Sequence, residues 1–395
     1  MKWEKVKLSE VTEYITDGDH QPAPKSDSGV LFVKIKDIQD NRLTFDNALF
    51  VPQEYYNRLP KNRKAEYGDT LYTVVGSYGI PAFVNHNIPF CFERNIALLH
   101  PNNRVIPKYL YYAVKNPIFY GNANNIANGS AQKLIPLSKL AGMEISVPPI
   151  ERQETIVNIL SAYDDLIENN QKQIKLLEEA AQRLYKEWFV DLRFPGHENV
   201  KIVDGVPEGW KKVFLGGICT LKKDAVPAGR ISTGTPYIGL EHMPRVDFCL
   251  SSWGSADDVI SNKFRYAEDD IIFGKIRPYF HKVGFALNNG VVSTDSFVMK
   301  ANDGIWGLLL MTVFDRAFVD YTYQTCKEGS KMPRADWNQM EKYPVLIPSE
   351  KIRQDFEKFI WNITRQVKTL ALQNHALTEA RDQLLPKLMS GEIEV

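Results

Sequence analysis

Polar and basic side chains recur in short loops at matching places in the two halves of the sequence. Guanidinium, ammonium, amide and hydroxyl groups are the groups with which proteins read base edges and hold the phosphates of DNA. In the first half the candidates are Thr16, His20, Gln21, Thr73, Ser77, Tyr78, Arg94, Asn95, Ser130, Gln132 and Lys133. In the second half they are Arg230, Ser232, Lys275, Arg277, Tyr279, His281, Ser330, Lys331 and Arg334. Singly, each is more simply explained as a surface residue; as a set, they indicate two DNA-binding surfaces with different side chains.

Motifs for catalysis or for a bound cofactor are missing from the sequence. It contains no G-x-x-x-x-G-K-[ST], no G-x-G-x-x-G, no H-E-x-x-H and no G-x-S-x-G. The four cysteines (Cys91, Cys219, Cys249 and Cys326) lie far apart and form no C-x-x-C pair, so we expect reduced thiols and no metal site. We therefore expect a protein without catalytic residues, metal or cofactor.

Two short patterns could be mistaken for active-site residues. Asn116-Pro117-Ile118-Phe119 is similar to the N-P-P-[FY] loop of DNA amino-methyltransferases, but it lacks the second proline and an upstream glycine motif. A proline at this point predicts a helix end. The pairs Asp164-Asp165 and Asp257-Asp258 are expected to be solvated rather than to act as acid and base.

Composition describes an ordinary soluble chain long enough for two domains. Of 395 residues, 44% are apolar and 24% are charged, and the formal net charge is zero. No apolar run is long enough for a membrane span, and the start, MKWEKVKLSE, has no apolar signal region, so we expect a cytoplasmic protein. A net charge of zero neither supports nor excludes DNA binding, which needs a basic patch rather than a basic total.

The sequence is an internal duplication with a period of about 200 residues. WEKVKLSEV at the start corresponds to WKKVFLGGI from Trp210, and PPIERQ (148–153) corresponds to PSEKIRQ (348–354). In each copy, short β-like runs alternate with Gly, Pro, Asn and Asp clusters around one helical stretch, which predicts a mixed α/β domain. The extra residue in PSEKIRQ predicts that the second long helix starts one position later.

The last part of each copy predicts a long helix with an apolar seam. Steps of four and three connect ten residues in each seam. The first seam comprises Ile156, Leu160, Tyr163, Ile167, Asn170, Ile174, Leu177, Ala181, Leu184 and Trp188; the second comprises Phe356, Ile360, Ile363, Val367, Leu370, Asn374, Leu377, Arg381, Leu384 and Leu388. The pattern favours a coiled coil over two amphipathic helices that each lie on their own domain.

The polar residues in the seams decide the direction of pairing. In an antiparallel pair Asn170 faces Asn374, whereas a parallel pair buries each asparagine against an apolar residue, at a cost of roughly 1–3 kcal/mol each. The sequence therefore predicts an antiparallel intramolecular coiled coil in which Asn170 and Asn374 share one layer. Arg381 would lie opposite Tyr163, where it could stack or extend to water. Such a coil is a rod of ~50 Å with one domain at each end, related by pseudo-twofold symmetry.

These features together resemble the specificity (S) subunits of type I restriction–modification systems over essentially the whole chain. The resemblance lies in the two W-x-x-V-x-L openings, the Gly-Ser turns GSAQK and GSKMPR, the segments PPIERQ and PSEKIRQ, the stretch EWFVDLRFPG (187–196), and LLPKLMSGEI (384–393). Each pattern alone is weak, but their order, duplication and spacing are specific.

The resemblance implies an α+β fold with two homologous target-recognition domains separated by two long helices. It implies a first recognition domain at 1–149, a first constant helix at 150–190, a linker at 191–209, a second recognition domain at 210–349 and a second constant helix at 350–390. Each recognition domain would read one half of a bipartite, asymmetric site in double-stranded DNA, and the coiled coil would fix the unread spacer. Two methylation subunits would dock on the helices, restriction subunits would complete the complex, and these partners would supply the chemistry.

Two other functions remain open from the residues alone. The chain could be a two-headed module that bridges proteins, or, with less support from its motifs, a stand-alone DNA methyltransferase. Selection of bound DNA from random sequence separates the first alternative from DNA recognition, and tight binding of the methyl donor by the purified chain would favour the second.

Overall fold

The computed structural model describes residues 3–46, 48–129, 133–326 and 332–395. They form two compact units, of which unit 1 comprises Met1–Asp165 with Thr378–Val395 and unit 2 comprises Leu166–Leu377. Two long helices, Ile150–Tyr185 and Glu350–Ser390, each contribute residues to both units. Within the described ranges, no helix has the length and apolar character that crossing a bilayer requires.

Unit 1 is a mixed α/β body with a four-stranded sheet, in the order β2-β10-β7-β8, and a three-stranded sheet, in the order β6-β3-β9. Its strands are β1 (Glu4–Lys7), β2 (Thr12–Asp17), β3 (Val30–Val33), β4 (Ile38–Gln39), β5 (Arg42–Leu43), β6 (Leu49–Val51), β7 (Thr70–Thr73), β8 (Pro81–Phe83), β9 (Phe90–Phe92), β10 (Ile96–Pro101) and β11 (Glu144–Val147). Its helices are α1 (Leu8–Val11), α2 (Gln53–Arg58), α3 (Pro107–Lys115), α4 (Pro117–Ile126) and α5 (Leu137–Ala141), followed by the start of α6 (Ile150–Tyr185).

Unit 2 contains two five-stranded sheets, in the orders β15-β24-β21-β22-β18 and β16-β20-β23-β17-β19. Its strands are β12 (Ile202–Val203), β13 (Val206–Pro207), β14 (Lys211–Phe214), β15 (Cys219–Lys222), β16 (Ala225–Val226), β17 (Pro236–Ile238), β18 (Cys249–Leu250), β19 (Gly254–Ser255), β20 (Lys263–Tyr266), β21 (Ile271–Gly274), β22 (Val283–Ala286), β23 (Gly290–Ser293), β24 (Ser296–Ala301) and β25 (Pro344–Ile347). Its helices are α7 (Trp306–Phe314), α8 (Arg316–Gln324) and α9 (Trp337–Met340), with most of α6 and of α10 (Glu350–Ser390).

The duplicated openings form the same element in both units. β1 pairs antiparallel with β11 through Val6 and Ile145, and β14 pairs antiparallel with β25 through Val213 and Val345. The strand that begins each copy is thus held by the strand that precedes its long helix.

The predicted helix end at Asn116-Pro117 is confirmed, and a second helix follows it directly. α3 ends at Lys115, and the side chain of Asn116 accepts a hydrogen bond from the backbone N–H of Ile118 at 3.0 Å, which caps α4. In unit 2 the side chain of Asp315 caps α8 through the N–H of Ala317 at 2.8 Å. Asn116 therefore has a structural partner within the fold.

The junction between each domain and its long helix is fixed by one polar side chain. The amide of Gln153 is fully buried, donates to the carbonyl of Arg104 at 3.1 Å and accepts from the N–H of Ile106 at 2.8 Å. In unit 2 the guanidinium of Arg353 donates to the carbonyl of Gly304 at 2.6 Å. The expected one-residue shift is wrong: α6 begins at Ile150 and α10 at Glu350, and Arg353 occupies the position that corresponds to Gln153.

The two long helices pair antiparallel, as predicted. Within unit 2, Nδ2 of Asn170 donates to Oδ1 of Asn374 at 3.0 Å, and Nδ2 of Asn374 lies 3.4 Å from the carbonyl oxygen of Ile167. Within unit 1, Ile156 and Leu388 are buried in one apolar cluster. The Asn–Asn layer therefore satisfies amides that would otherwise be buried without partners.

Asp164 and Arg381 depart from the sequence expectations. Arg381 does not stack on Tyr163; its Nη1 donates to Asp164 at 2.7 Å, and the Asp164 carboxylate also accepts from the Tyr112 hydroxyl at 2.7 Å. Lys115 lies 3.6 Å from the same carboxylate. Asp164 is thus a mostly buried ion-pair residue rather than a solvated one, whereas Asp165 is exposed as expected. Burial raises the pKa of Asp164, but Lys115, Tyr112 and Arg381 outweigh it and hold that pKa below its usual value.

Glu178 attaches α6 to the domain of unit 2. Its carboxylate is buried and accepts hydrogen bonds from the backbone N–H groups of Phe248 and Cys249, each at 3.1 Å. Burial, with a smaller effect from the charge of Asp247, raises the pKa of Glu178 to about 8. The protonation state of this contact therefore changes near neutral pH.

Replacing one member of the Asn170–Asn374 layer is expected to destabilise the chain more than replacing both. Asn170→Leu leaves the Asn374 amide without its partner, at a cost of about 1–3 kcal/mol, whereas the Asn170→Leu/Asn374→Leu chain recovers most of that loss. Urea unfolding of the native chain, both single variants and the double variant gives the coupling energy. Strictly additive losses would contradict a shared layer.

The pKa of Glu178 predicts a stability that falls as the pH rises. Because its pKa is raised from 4.5 to about 8 on folding, its contribution is fully present below about pH 4.5 and is lost as the pH rises through 8. Glu178→Gln, whose amide oxygen still accepts both N–H bonds, is expected to reduce the loss of melting temperature between pH 5.5 and 8.5. Glu179→Gln, which removes a partly exposed pair with Arg183 on the same helix, is the control and should keep the native pH dependence.

Candidate nucleic-acid interface

Predicted residues of unit 1 converge at one edge of the four-stranded sheet. β2 and β7 end there and β10 begins there, because Asp17 pairs with Ala97 and Thr73 pairs with Ile96. The segments that leave this edge are 74–80, after β7, and the turn at 93–95, before β10. The edge therefore brings together predicted residues that lie up to about 80 positions apart in the sequence.

In unit 2, the second copy of the sequence repeat forms the corresponding edge. β21 ends and β24 begins together, since Gly274 pairs with Ser296, and β22 starts beside them, since Val283 pairs with Phe273. The loop 275–281 and the turn 293–295 leave the sheet here. They hold Lys275, Arg277, Tyr279 and His281.

Three backbone hydrogen bonds fix the loop of unit 1. The N–H of Val74 donates to the carbonyl of Asn95 at 2.9 Å, the N–H of Ile135 donates to the carbonyl of Val74 at 2.9 Å, and the N–H of Gly76 donates to the carbonyl of Lys133 at 3.0 Å. We call this set the backbone frame. It joins the loop after β7 to the turn before β10 and to the segment that precedes α5.

The same backbone frame recurs in unit 2. The N–H of Lys275 donates to the carbonyl of Asp295, the N–H of Ala335 donates to the carbonyl of Lys275, and the N–H of Arg277 donates to the carbonyl of Pro333, each at 2.8 Å. Each bond corresponds to one in unit 1 at a spacing of 200 or 201 residues. The two units therefore hold their loops by the same main-chain bonds, while the side chains at those positions differ.

In unit 1 the frame carries an aromatic and amide group. Tyr78 stacks on Tyr120 with ring centroids 6.2 Å apart, and its hydroxyl donates to the side-chain oxygen of Asn124. Lys133 donates to the same oxygen at 3.1 Å and lies 5.9 Å from the centre of the Tyr78 ring. Ser77 is exposed beside this group. Such a surface offers one cation, one amide and two stacking faces to a ligand.

A second polar cluster lies where β2 of unit 1 ends. Nε2 of His20 lies 2.9 Å from Asp17, and Arg63 donates to Asp19 at 3.1 Å. The hydroxyl of Tyr55 donates to the same Asp19 carboxylate at 3.1 Å, with the result that burial, Asp19 and its hydrogen bond raise the Tyr55 pKa. Asp17 and Asp19 therefore both have partners within the cluster. His20 is its most exposed side chain.

In unit 2 the frame carries cations. Nζ of Lys275 donates to the carbonyl of Thr294 at 2.7 Å and lies 4.5 Å from the centre of the Phe297 ring, and burial lowers the pKa of Lys275. Arg334 forms an ion pair with Asp295 at 3.0 Å and is more than half exposed. The second surface is thus more basic than the first.

Both loops contain left-handed backbone at two positions. In unit 1 these positions are glycines, Gly76 at φ +69° and Gly79 at φ +86°. In unit 2 they are Arg277 at φ +50° and His281 at φ +55°. A side chain in this region carries strain that glycine does not.

Two predicted contact residues are buried and serve the fold instead. The hydroxyl of Thr73 accepts from the N–H of Ile80 at 2.9 Å inside unit 1. His281 lies with Nε2 2.7 Å from the carbonyl oxygen of Phe314, and burial lowers its pKa. We therefore correct both assignments, because neither side chain reaches the surface of its unit.

The remaining predicted residues divide by position. Partly or fully exposed at the two edges are Thr16, His20, Gln21, Ser77, Tyr78, Arg94, Asn95, Lys133, Lys275, Arg277, Tyr279 and Arg334. Arg230 and Ser232 are exposed on another loop of unit 2, outside the backbone frame. Ser130, Gln132, Ser330 and Lys331 fall outside the residues that the structure describes.

Sequence reasoning missed several residues at these edges. Tyr120 and Asn124 lie on α4, and no pattern of residue types connects that helix with the loop after β7. Arg63 and Tyr55 bind Asp19 from a segment that carries no recognisable motif. The Asn-Pro helix end was the one available signal for α4, since it predicts that a new element starts at Pro117.

Comparison with known proteins gives a consistent result. The family model described as "Type I restriction modification DNA specificity domain" matches residues 1–179. The type I restriction enzyme MjaIX specificity subunit of Methanocaldococcus jannaschii is 27% identical, over 78% of this chain and 74% of that protein. The type I restriction enzyme HindI specificity subunit of Haemophilus influenzae is 21% identical, over 92% of this chain and 94% of that protein.

A solved structure shares the fold. The crystal structure of the type I restriction–modification system S subunit from M. genitalium superposes with a TM-score of 0.60 at 16% sequence identity, over 98% of this chain and 96% of that one. At this identity the likeness concerns the fold alone.

The left-handed turn in unit 1 predicts that alanine has opposite effects on stability at Gly79 and at Gly121. A Cβ on Gly79 would lie 2.5 Å from the Tyr120 ring on strained backbone, so Gly79→Ala should cost about 2–3 kcal/mol and displace the stack with Tyr78. Gly121→Ala, where a Cβ meets open space within α4, should instead stabilise by about 0.5–1 kcal/mol. Urea unfolding of both variants measures the difference, and equal effects would contradict the close packing at Gly79.

Proposed function

Because the chain belongs to the family of type I restriction–modification specificity subunits, we propose that each of its two domains reads one half of a bipartite, asymmetric DNA target. The chain is the DNA sequence-recognition subunit of such a complex. The observation that carries the finer proposal is the backbone frame, which occurs once in each unit with different side chains. Two homologous surfaces with unlike side chains suit two unlike half-sites.

The two surfaces differ in the way expected for different half-sites. In unit 1, the stacked pair Tyr78 and Tyr120 with Asn124 offers apolar and amide contacts, of which the amide suits an adenine edge. In unit 2, Lys275 and Arg334 offer charge for phosphates or guanine. In unit 1, Lys133 would hold a phosphate and add to affinity without adding to sequence preference.

The domain limits proposed from the sequence are recognition domains at 1–149 and 210–349, constant helices at 150–190 and 350–390, and a linker at 191–209. We propose that the coiled coil of α6 and α10 sets the number of unread base pairs between the half-sites. A helix of 36 residues such as α6 measures about 54 Å, which compares with about 34 Å for one turn of DNA. Its antiparallel pairing and the Asn170–Asn374 layer support a spacer of fixed length, since a one-layer slip would separate the two amides.

Two methylation subunits and the restriction subunits are the proposed protein partners. Methylation subunits would bind the outer faces of α6 and α10 and supply the methyl transfer, and restriction subunits would supply cleavage. In this division of labour the chain itself selects the DNA and positions its partners without an active site of its own.

Mapping methylated adenines in cells that contain this chain and its methylation subunits tests the proposal. The expected result is one bipartite, asymmetric motif with a constant spacer. Tyr78→Ala should change the preference in one half only, and Arg334→Ala should change it in the other half only, so that each variant is the control for the other. Methylation without a bipartite motif, or a change in both halves from either variant, would overturn the proposal.

A further inference from the structure

Arg277 adopts a backbone conformation that arginine rarely adopts. Its φ of 50° and ψ of 64° lie in the left-handed region, where the Cβ of an L-residue crowds the main chain. The corresponding position in unit 1 is Gly76, at φ +69°, which has no Cβ. The backbone frame therefore imposes the same left-handed conformation in both units, and unit 2 has a strained arginine where glycine would fit freely.

His281 shows what an internal reason for such a conformation looks like. It ends the same loop at φ +55°, and its buried ring lies 2.7 Å from the carbonyl oxygen of Phe314. The strain at His281 is thus offset by a contact inside the unit.

Arg277 has no comparable contact among the residues that the structure describes. Its Nε is shielded from solvent and forms no hydrogen bond there, and the side chain forms no ion pair with a described residue. The carboxylate of Asp295, whose main-chain carbonyl belongs to the backbone frame, pairs with Arg334 instead. The guanidinium lies 5.8 Å from the centre of the Phe280 ring, and Arg245 packs on that ring at 4.1 Å. Contacts with the described residues therefore do not explain why an arginine occupies this position.

We propose that Arg277 reads a guanine in the second half of the DNA target, through hydrogen bonds from its guanidinium to O6 and N7 in the major groove. This inference rests on the proposed function. Arginine is the side chain whose planar fork matches these two acceptors, and two parallel bonds require the fork to be held in a fixed orientation. The imposed backbone conformation and the shielded Nε supply that orientation.

A phosphate contact would not require this arrangement. A flexible, exposed cation on unstrained backbone holds a phosphate well. Gly76 offers no side chain at the matching position in unit 1, so the first half-site lacks a guanine contact from this position. Arg277 thus makes the two half-sites unequal at equivalent places in the frame.

The experiment uses the chain assembled with its methylation subunits and duplex DNA of random sequence, from which bound molecules are selected and sequenced. Arg277→Gly, which matches unit 1, should lose preference for one G·C pair of the second half by roughly 10- to 100-fold and leave the first half unchanged. Arg277→Lys keeps the charge without the fork and should lose the same preference. Arg316→Ala, which removes an exposed arginine paired with Asp320 on α8, is the control and should give the native motif.

Stability measurements separate a reading role from a structural one. Since glycine relieves the strain, Arg277→Gly should melt at or above the native temperature. If that variant fails to assemble, Arg277→Asn, whose residue type tolerates left-handed backbone, should show the same loss of one G·C preference. A native motif from either variant, or a uniform loss of affinity with every preference kept, overturns the inference and leaves the proposed function intact. The absence of any bipartite motif from the native chain would instead defeat the proposed function.

Discussion

Buried backbone N–H and C=O groups must be paired, and this requirement shapes both candidate interfaces. The loops at 74–80 and 275–281 lie outside their sheets, so their backbone amides have no hydrogen-bond partner on a neighbouring strand. Main-chain groups of two other segments bind them instead. These segments are the turn before β10 or β24 and the residues before α5 or α9. Because these bonds use only main-chain atoms, the side chains on them can change without loss of the frame. Lys133 in one unit thus corresponds to Pro333 in the other.

The same requirement is met with different side chains at the two helix junctions. The carbonyl groups of Arg104 and Gly304 occupy matching places just ahead of α3 and α7, and both accept from the first turn of a long helix. An amide donates in unit 1 and a guanidinium donates in unit 2. A duplicated fold can therefore keep the place of a contact while it changes the chemistry of the donor.

Local patterns in the sequence were sufficient for the long helices. The 3.5-residue period and the cost of an unpaired amide predicted the antiparallel pairing of Asn170 with Asn374, and the repeated openings form equivalent strand pairs in the two units. Long-range packing defeated the same reasoning elsewhere. Asp164 is paired because Lys115 reaches it from α3, and Thr73 is buried by strands that no local pattern places beside it.

The candidate interface was predicted only in part for a related reason. Loop polarity indicated residues that the structure brings to the two sheet edges, but the backbone frame involves no particular side-chain type and leaves no mark on a single sequence. The contributions of Tyr120 and Asn124 depend on how α4 packs against the loop after β7, which residue types alone do not encode. The sequence indicated which loops carry candidate contact residues, and the structure separated the exposed candidates from the buried ones.

The composition of unit 1 has a consequence for how the protein is made. Its core includes Leu385, Leu388 and Met389, yet all of residues 166–377 are synthesised between its first part and these three. At about 5–20 residues per second, a ribosome needs roughly 10–40 s to bridge that interval. During this time Ile156 and Leu160 lack the apolar neighbours that later cover them. Unit 2 is contiguous in the sequence and can fold first. Unit 1 is then completed last, whereas the N-terminal domain of a chain usually folds first during synthesis.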